Sequence, residues 1–351
     1  MYVLGLNAYH GDAAACLLRD GAIIAAAEEE RFRRVKHWAG FPAQAVRYCL
    51  AEAGIGLGDV AHVAINSNPR ANLARKVGYA LYRRPALGLV LARLRNQGKR
   101  SSVEEELIEA CPGEHFNGKV HRVEHHLAHL ASCFYGSPYP EAVALSVDGF
   151  GNFASSAWGF GQGAELRMDG QVFFPHSLGI FYQALTQYLG FPHYGDEYKV
   201  MGLAPYGKPV YLEAMRQIVR LEDGGGFRLD LGYFRHHRER FEYQWSGGVP
   251  VVGCLYTEQL EALLGPARAQ DEPMTERFRD IAHSAQALYE ETFFHLLAHL
   301  HERYRCDRLT LAGGCGMNSV ANGKIYRRSP FRKLYVQAAA GDAGGQSGPP
   351  M

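Results

Sequence analysis

Three histidines lie within five residues of the segment VEHHLAHLASCFYG (residues 123–136). Apolar residues follow at helical spacing, so the segment predicts an α-helix over residues 123–134. In a helix, His125 and His129 lie four residues apart on one face, where two imidazoles can bind one metal ion, and His126 points elsewhere. No glutamate lies between the pair, which excludes the HExxH zinc-protease motif. By itself the pair is more typical of surface or packing histidines than of a metal site.

Two aspartates strengthen the metal hypothesis. Asp148 ends the apolar segment AVALSVD and precedes Gly149, and Asp342 follows another predicted strand in AAAGDAGG. An acid at the end of a buried strand can point into a cleft, although a turn aspartate is the alternative for Asp148. Two histidines and two aspartates form a mixed nitrogen and oxygen set. Such a set suits Fe(II), Mn or Zn with open positions better than a closed structural zinc site.

The segment LTLAGGCGMNSVANGKI predicts a strand, a Gly-Gly turn and a helix. Gly313 and Gly314 let the backbone approach a ligand closely, and the N-terminus of the helix offers unpaired N–H groups to an anion. The alternative is an ordinary turn between a strand and a helix. We interpret Cys315 as a small packing residue, since no histidine is obviously paired with it.

Two further residues are candidates for chemistry. Lys199 lies in YGDEYKVMGLAPYGKP, which predicts a loop with short turns, and it could neutralise a phosphate or be a surface lysine. His10 lies in the predicted turn between the first two strands, a position that would face a cleft in a duplicated fold. It is therefore a candidate general base, although a lone turn histidine is more often incidental.

The elements that would position these residues occur twice along the chain. YVLGLN, AAACLLRD and AIIAAAEEE predict three strands with a hairpin at Asp20-Gly21, followed by a helix in PAQAVRYCLAEAG and a strand in DVAHVAINSN. EAVALSVDG, ASSAWGFG and AELRMDGQVFFP predict three more strands, with Asp169-Gly170 as turn residues, and a helix in GIFYQALTQYLG and later strands follow. A long helix is expected from Phe278 to about Tyr304. This repetition predicts an α/β fold of two RNase H-like lobes.

The repetition also predicts the domain limits. The first lobe would span residues 1–140, with a basic helical insertion at about 70–110. The second would span residues 141–351, with an insertion at about 190–275. Between Arg70 and Arg100 there are nine Lys or Arg and no acid, which indicates a solvated helix, a docking surface, a membrane-surface helix or an RNA contact.

Composition narrows the class of protein. The 351 residues carry a formal net charge of +1, so no global charge favours nucleic-acid binding. No apolar segment approaches the roughly 20 residues that cross a bilayer, and the N-terminus begins directly with a predicted strand rather than a signal peptide. Seven scattered cysteines without a CxxC pair are typical of reduced thiols, so we expect a cytoplasmic protein without membrane association.

Taken together, the motifs resemble those of a known family. The chain is similar to the Kae1-like N-terminal domain of the O-carbamoyltransferases of nodulation-factor and antibiotic biosynthesis, the tobramycin carbamoyltransferase type. The matching segments occur in the order of that family and cover nearly the whole chain: LGLNAYHGDAAACLL, EEERFRRVKH, EHHLAHLASCFY, SVDGFGN, SLGIFYQALTQYLGF, EYKVMGLAPYG, LAGGCGMNSVAN and AAGDAGG.

The resemblance implies an actin-like, sugar-kinase-like ATPase fold and a set of site residues. It implies that iron or another divalent metal is bound by His125, His129, Asp148 and Asp342. It implies that a nucleotide, ATP or carbamoyladenylate, is contacted by Lys199, Gly313, Gly314 and Asn318.

The activity implied by the resemblance has two stages. Carbamoyl phosphate and ATP give O-carbamoyladenylate, and the carbamoyl group then moves to a hydroxyl of a small-molecule acceptor, with His10 as the base. A YrdC-like domain, in cis or in trans, would make the adenylate.

The chain departs from the family in two places. Cys315-Gly316-Met317 replaces a more aliphatic run in the glycine loop. The C-terminal residues QSGPPM replace the helix that the family has after GDAGG. The departure at the C-terminal end indicates a fragment, a truncated gene or a frameshifted end, and such a chain would transfer a preformed carbamoyl group without making it. A tRNA threonylcarbamoyl transferase and an inactive nucleotide-binding fragment are the alternatives.

Overall fold

The computed structural model describes residues 1–83, 102–238, 244–246 and 249–345, and two five-stranded mixed sheets form its framework. The first sheet has the order β3-β2-β1-β4-β5 and the second the order β8-β7-β6-β13-β14. In each, the central strand pairs antiparallel with the next strand of a meander and parallel with a later strand. The duplicated RNase H-like fold is therefore confirmed.

The strands have the following bounds. The first sheet contains β1 (Tyr2–Asn7), β2 (Ala14–Arg19), β3 (Ala22–Glu28), β4 (Val60–Ile65) and β5 (Lys119–Arg122). The second contains β6 (Glu141–Gly151), β7 (Ala154–Gln162), β8 (Glu165–Phe173), β13 (Arg308–Ala312) and β14 (Lys333–Val336). Two small ribbons lie between β8 and β13, and they are β9 (Val219–Leu221) with β10 (Phe227–Leu229) and β11 (Gln244–Ser246) with β12 (Val249–Val251).

The helices cover the faces of these sheets. Those of the first half are α1 (Glu30–Arg33), α2 (Ala43–Ala53), α3 (Leu73–Arg83), α4 (Val103–Ala110) and α5 (His125–Tyr135). Those of the second half are α6 (Leu178–Tyr188), α7 (Glu197–Leu203), α8 (Leu212–Met215), α9 (Glu258–Leu264), α10 (Glu276–Tyr304), α11 (Ser319–Asn322) and α12 (Ile325–Arg328). The largest apolar core lies where α6 and α10 pack beside the second sheet.

One predicted hairpin is confirmed and the other is wrong. Asp20 and Gly21 both have positive φ, as a two-residue hairpin turn requires. Asp169 and Gly170 instead lie inside β8, where the register shifts against β7, because the ring of Trp158 covers the α-carbon of Gly170. The turn between β7 and β8 is made at Gly163, which has a φ of 60°.

The segment YGDEYKVMGLAPYGKP was also predicted incorrectly as a loop. Residues 197–203 form α7, and a 3-10 turn follows at Ala204–Tyr206. The flanking glycines and prolines suggested a loop, but Val200 is completely buried on this helix. Packing against the largest apolar core therefore outweighs the local composition.

The structure describes only part of the basic segment and none of the last six residues. The basic segment forms α3 up to Arg83, whereas its remainder and the C-terminal QSGPPM lie outside the described residues. Among the helices that are described, none is long and apolar enough to span a membrane. All seven cysteines fall within the described ranges, and their thiols are free.

Candidate active site

Helix α5 carries the two predicted histidines on one buried face. Its first turn is capped by Glu124, whose carboxylate accepts a hydrogen bond from the Leu127 N–H at 2.7 Å. The side chains of His125 and His129 are 2% and 0% exposed, and their Nε2 atoms are 3.1 Å apart. His126 turns away, as expected, and its Nδ1 lies 3.0 Å from Ser146 Oγ.

Asp148 reaches the histidines from an irregularity in β6. Three residues of β6 lie opposite one residue of β7 between Val147 and Gly151, so Asp148 is inside the strand rather than at its end. Bulges of this kind redirect side chains next to functional sites. The Asp148 Oδ2 atom lies 3.1 Å from His125 Nε2 and 3.2 Å from His129 Nε2.

Asp342 completes the cluster from the turn that follows β14. It begins a 3-10 turn, Asp342–Gly344. Its Oδ1 atom lies 3.5 Å from His125 Nε2 and 3.4 Å from His129 Nε2. That oxygen is buried and has no hydrogen-bond partner among the described residues, although it points at two imidazoles.

The cluster has the geometry and the charge of a metal site. Two ligand atoms about 2.0–2.2 Å from a tetrahedral or octahedral metal lie about 3.0–3.5 Å apart. The two histidine Nε2 atoms lie 3.1 Å from each other and 3.1–3.5 Å from the carboxylate oxygens of Asp148 and Asp342. Burial opposes protonation of His129, but the nearby Asp148 and Asp342 carboxylates outweigh it and raise its pKa to about 10. The four residues therefore favour a cation between them. Their donor set fits a divalent transition metal, and metal binding itself stays a prediction.

A cavity of about 430 Å³ opens beside this cluster. Five of the predicted residues line it, and they are His10, Asp148, Gly314, Asn318 and Asp342. The imidazole ring of His10 lies with its centre 5.8 Å from that of His125. The structure thus places the candidate base, the two candidate aspartate ligands and part of the glycine loop around one space, whereas His125 and His129 lie buried behind the aspartates and do not line it.

The glycine loop, residues 313–318, contacts the cluster directly. The Gly314 N–H donates a hydrogen bond of 3.1 Å to Asp148 Oδ1, which also accepts one of 2.8 Å from the Gly149 N–H. These bonds hold the carboxylate with its other oxygen toward the histidines. The helix predicted after the loop is short: a 3-10 turn at Gly314–Met317 is followed by the four residues of α11 and then by α12. The Gly314 N–H therefore serves Asp148 rather than a free anion site, and nucleotide contact by the loop stays a prediction.

The structure places Lys199 differently from the sequence expectation. Its Nζ atom pairs with Asp196 Oδ1 at 2.7 Å, and within the described chain it is not one of the residues that line the cavity. Lys36 lines the cavity instead. The phosphate contact predicted for Lys199 therefore has no support in this placement. Lys36 lies in EEERFRRVKH, a segment whose only signal in the sequence is its match to the carbamoyltransferase family.

Sequence reasoning also missed a group of polar residues that line the cavity. His37 Nδ1 lies 2.8 Å from Asp12 Oδ1, and both residues line the cavity with Glu197. Burial lowers the pKa of the His37 imidazole, but the hydrogen bond to Asp12 outweighs burial, so that the pKa of His37 is raised overall. Burial raises the pKa of the Glu197 carboxyl. These groups come from loops and a short helix, where no periodic pattern marks them.

Gly313 allows the loop to reach β6, and we expect alanine there to be strongly destabilising. Its φ is 87°, and a Cβ atom would lie 2.3 Å from the Val147 carbonyl oxygen. Backbone strain of about 1–3 kcal/mol and the clash should together lower the free energy of unfolding by about 3 kcal/mol or more. Urea denaturation of Gly313→Ala measures this loss.

Gly202→Ala is the matched control for that measurement. Gly202 is exposed in α7, and its Cβ position meets no atom within 4 Å. Alanine should raise the stability there by up to about 1 kcal/mol. Equal effects at both positions would contradict the close approach of the glycine loop to β6.

Comparisons with known proteins agree with the sequence resemblance. The family model described as carbamoyltransferase N-terminus matches residues 2–350. The uncharacterized protein sll1178 of Synechocystis is 36% identical over 99% of this chain and 56% of its own length. The nodulation protein NolNO of Sinorhizobium fredii is 34% identical over 96% of this chain and 45% of its own. The chain thus spans about half the length of these relatives.

Among solved structures, HypF of T. kodakarensis aligns with 99% of this chain and 46% of its own. The identity is 13% and the TM-score is 0.43.

Proposed function

Because the chain belongs to the carbamoyltransferase N-terminus family, we propose that its cavity transfers a carbamoyl group from O-carbamoyladenylate to a hydroxyl of a small-molecule acceptor. The observation that carries this proposal is the cluster of two histidines and two aspartates, whose two aspartates line the same cavity as His10 and the glycine loop. Carbamoyl transfer needs charge stabilisation at the carbonyl and at the departing phosphate, together with a proton acceptor.

The proposed reaction is one acyl transfer. The acceptor oxygen attacks the carbamoyl carbon, the bond from that carbon to the phosphate oxygen breaks, and AMP leaves with the bonding electrons. His10, which lines the cavity and lies beside the candidate ligand His125, takes the hydroxyl proton. A divalent metal held by His125, His129, Asp148 and Asp342 would supply Lewis acidity to polarise the carbonyl and neutralise the phosphate.

The remaining residues of the cavity bind and orient. Asn318 and Gly314 border the cavity beside the cluster, where we place the nucleotide. Lys36 lines the cavity and Lys199 does not, so we assign the phosphate contact to Lys36. The acceptor would occupy the end near Asp12 and His37, whose polar groups suit a hydroxyl-rich molecule.

The donor is the part of the proposal that depends most on the resemblance. The resemblance implies that a YrdC-like domain makes the adenylate from carbamoyl phosphate and ATP, and this domain would act in cis or in trans. Iron is the metal that the resemblance implies. The transfer step alone is assigned to the residues described here.

A transfer assay with preformed donor tests the proposal. The chain, reconstituted with Fe(II) under anaerobic conditions, is mixed with carbamoyladenylate and a panel of hydroxylated sugars and aminoglycosides. We expect a mass increase of one carbamoyl group on an acceptor, with stoichiometric AMP. A parallel reaction with carbamoyl phosphate and ATP should give no product unless a YrdC-like domain is added.

Three results would contradict parts of this assignment. Product from carbamoyl phosphate and ATP with the chain alone would refute the division between adenylation and transfer. Transfer of threonylcarbamoyl to tRNA, with no reaction on sugars, would favour the tRNA enzyme. Metal and nucleotide binding without any transfer would favour an inactive nucleotide-binding protein.

A further inference from the structure

The glycine loop is held on its far side by a buried amide on α10. Gln286 Nε2 donates to Asn318 Oδ1 at 3.1 Å, and Asn318 Nδ2 donates to Gln286 Oε1 at 3.0 Å. The two residues are 3% and 9% exposed. This reciprocal pair connects the middle of the long helix to the residue at which the loop ends.

The buried Glu290 carboxylate and the two cations that pair with it fix the orientation of the Gln286 amide. Gln286 Nε2 also donates to Glu290 Oε1 at 3.1 Å, and Glu290 is 2% exposed. Lys324 and Arg328 pair with the two carboxylate oxygens of Glu290 at 2.5 and 2.7 Å. A flipped amide would direct its oxygen at this carboxylate, so the donor must face Glu290 and Asn318.

The same amide contacts the wall of the cavity. The Tyr182 hydroxyl, which is on α6, donates to Gln286 Oε1 at 2.8 Å, and Tyr182 lines the cavity. Both donor hydrogens and both acceptor sites of Gln286 are therefore used. A buried amide is costly unless its hydrogen bonds are satisfied, so this arrangement holds one geometry of the wall and the loop.

The loop transmits this geometry to the metal cluster. It ends at Asn318, and near its start the Gly314 N–H orients the Asp148 carboxylate. Tyr289, one helical turn along α10 from Gln286, adds a hydrogen bond of 3.1 Å from its hydroxyl to the Cys315 carbonyl oxygen. The loop is thus held between α10 on one side and Asp148 on the other.

We infer that Gln286 is a positioning residue, whose amide holds the glycine loop so that the Gly314 N–H keeps Asp148 turned toward the two histidines. Gln286 touches neither the four candidate ligands nor, in our assignment, the substrate. The inference rests on the proposed function only in treating that cluster as a metal site. Its structural part, the order of the loop, can be measured separately.

The test uses Gln286→Met, which keeps the length and nearly the volume of the side chain and removes every hydrogen bond. We expect the affinity for Co²⁺, followed by its visible absorption, to fall about tenfold, the lower end of the effect of losing a partner that orients a metal ligand. Hydrogen exchange at the amides of residues 314–322 should accelerate, while that of α5 stays unchanged.

Thr292→Val is the matched control on the same helix. Thr292 is completely buried, and among the described residues its hydroxyl donates one hydrogen bond, within α10, to the Leu288 carbonyl oxygen at 3.0 Å. It should leave Co²⁺ affinity within twofold and the loop amides protected. If Gln286→Met does not fold, Gln286→Glu replaces it, because it keeps the acceptor for Asn318 and loses both donors, and the same changes are expected.

The outcomes separate this inference from the proposed function. Unchanged loop exchange and unchanged Co²⁺ affinity in the Gln286 variant would overturn it, as would an equal loss in Thr292→Val. If the wild-type chain binds no Co²⁺, the metal assignment fails while the exchange data still decide whether Gln286 orders the loop. Faster loop exchange with full Co²⁺ affinity would refute the connection to Asp148.

Discussion

His129→Ala is expected to lose nearly all of its bound divalent metal. His129 is completely buried and its Nε2 faces His125, Asp148 and Asp342 at 3.1–3.4 Å. Removal of a partner that merely orients a ligand costs about 10–100-fold in metal affinity, so loss of a ligand should cost more than that. Metal analysis by mass spectrometry after reconstitution with Fe(II) and dialysis measures the result.

His126→Gln is the control for this variant. His126 is equally buried on the same helix, but its Nδ1 atom lies 3.0 Å from Ser146 Oγ and it is not one of the four residues of the cluster. It should retain metal at the wild-type ratio. Equal metal in the wild type and His129→Ala would remove the site assignment and leave the two histidines as packing residues.

His10→Ala is expected to slow carbamoyl transfer by about 10²–10⁴-fold, the usual contribution of a general base. His10 lines the cavity beside His125 but does not belong to the four-residue cluster. Its loss should therefore affect the turnover with carbamoyladenylate and leave the bound metal within twofold of wild type. Single-turnover rates and metal content measured on the same samples separate the two effects.

His121→Ala provides the comparison for His10. His121 is an exposed histidine on β5, hydrogen-bonded to His62 on the neighbouring strand. It should turn over at the wild-type rate. If the His10 variant transfers the carbamoyl group at the wild-type rate, another group must be the base. His37 with Asp12 is the next candidate in the cavity.

Local patterns in the sequence were sufficient for most of the fold. The helical spacing around His125 predicted α5, and Asp20-Gly21 predicted the first hairpin, because backbone preferences and one buried face act over a few residues. The same order of strands and helix, found twice, predicted the RNase H-like lobes. Local sequence patterns failed at Asp169-Gly170, where contact with Trp158 decides the conformation. They also failed over α7, where packing against the largest apolar core decides it.

The sequence by itself determined the family and the types of the candidate ligands, since the i, i+4 histidine pair and the small residues around Asp148 and Asp342 are local features. Only the tertiary structure decided that these four side chains meet, because the parallel pairing of β6 with β13 and of β13 with β14 brings Asp342 to Asp148, which is 194 positions earlier in the chain. It also decided that Lys36 rather than Lys199 lines the cavity, and that Gln286 holds the glycine loop. Contacts of this range depend on how whole elements pack, which the spacing of residues along one element does not specify.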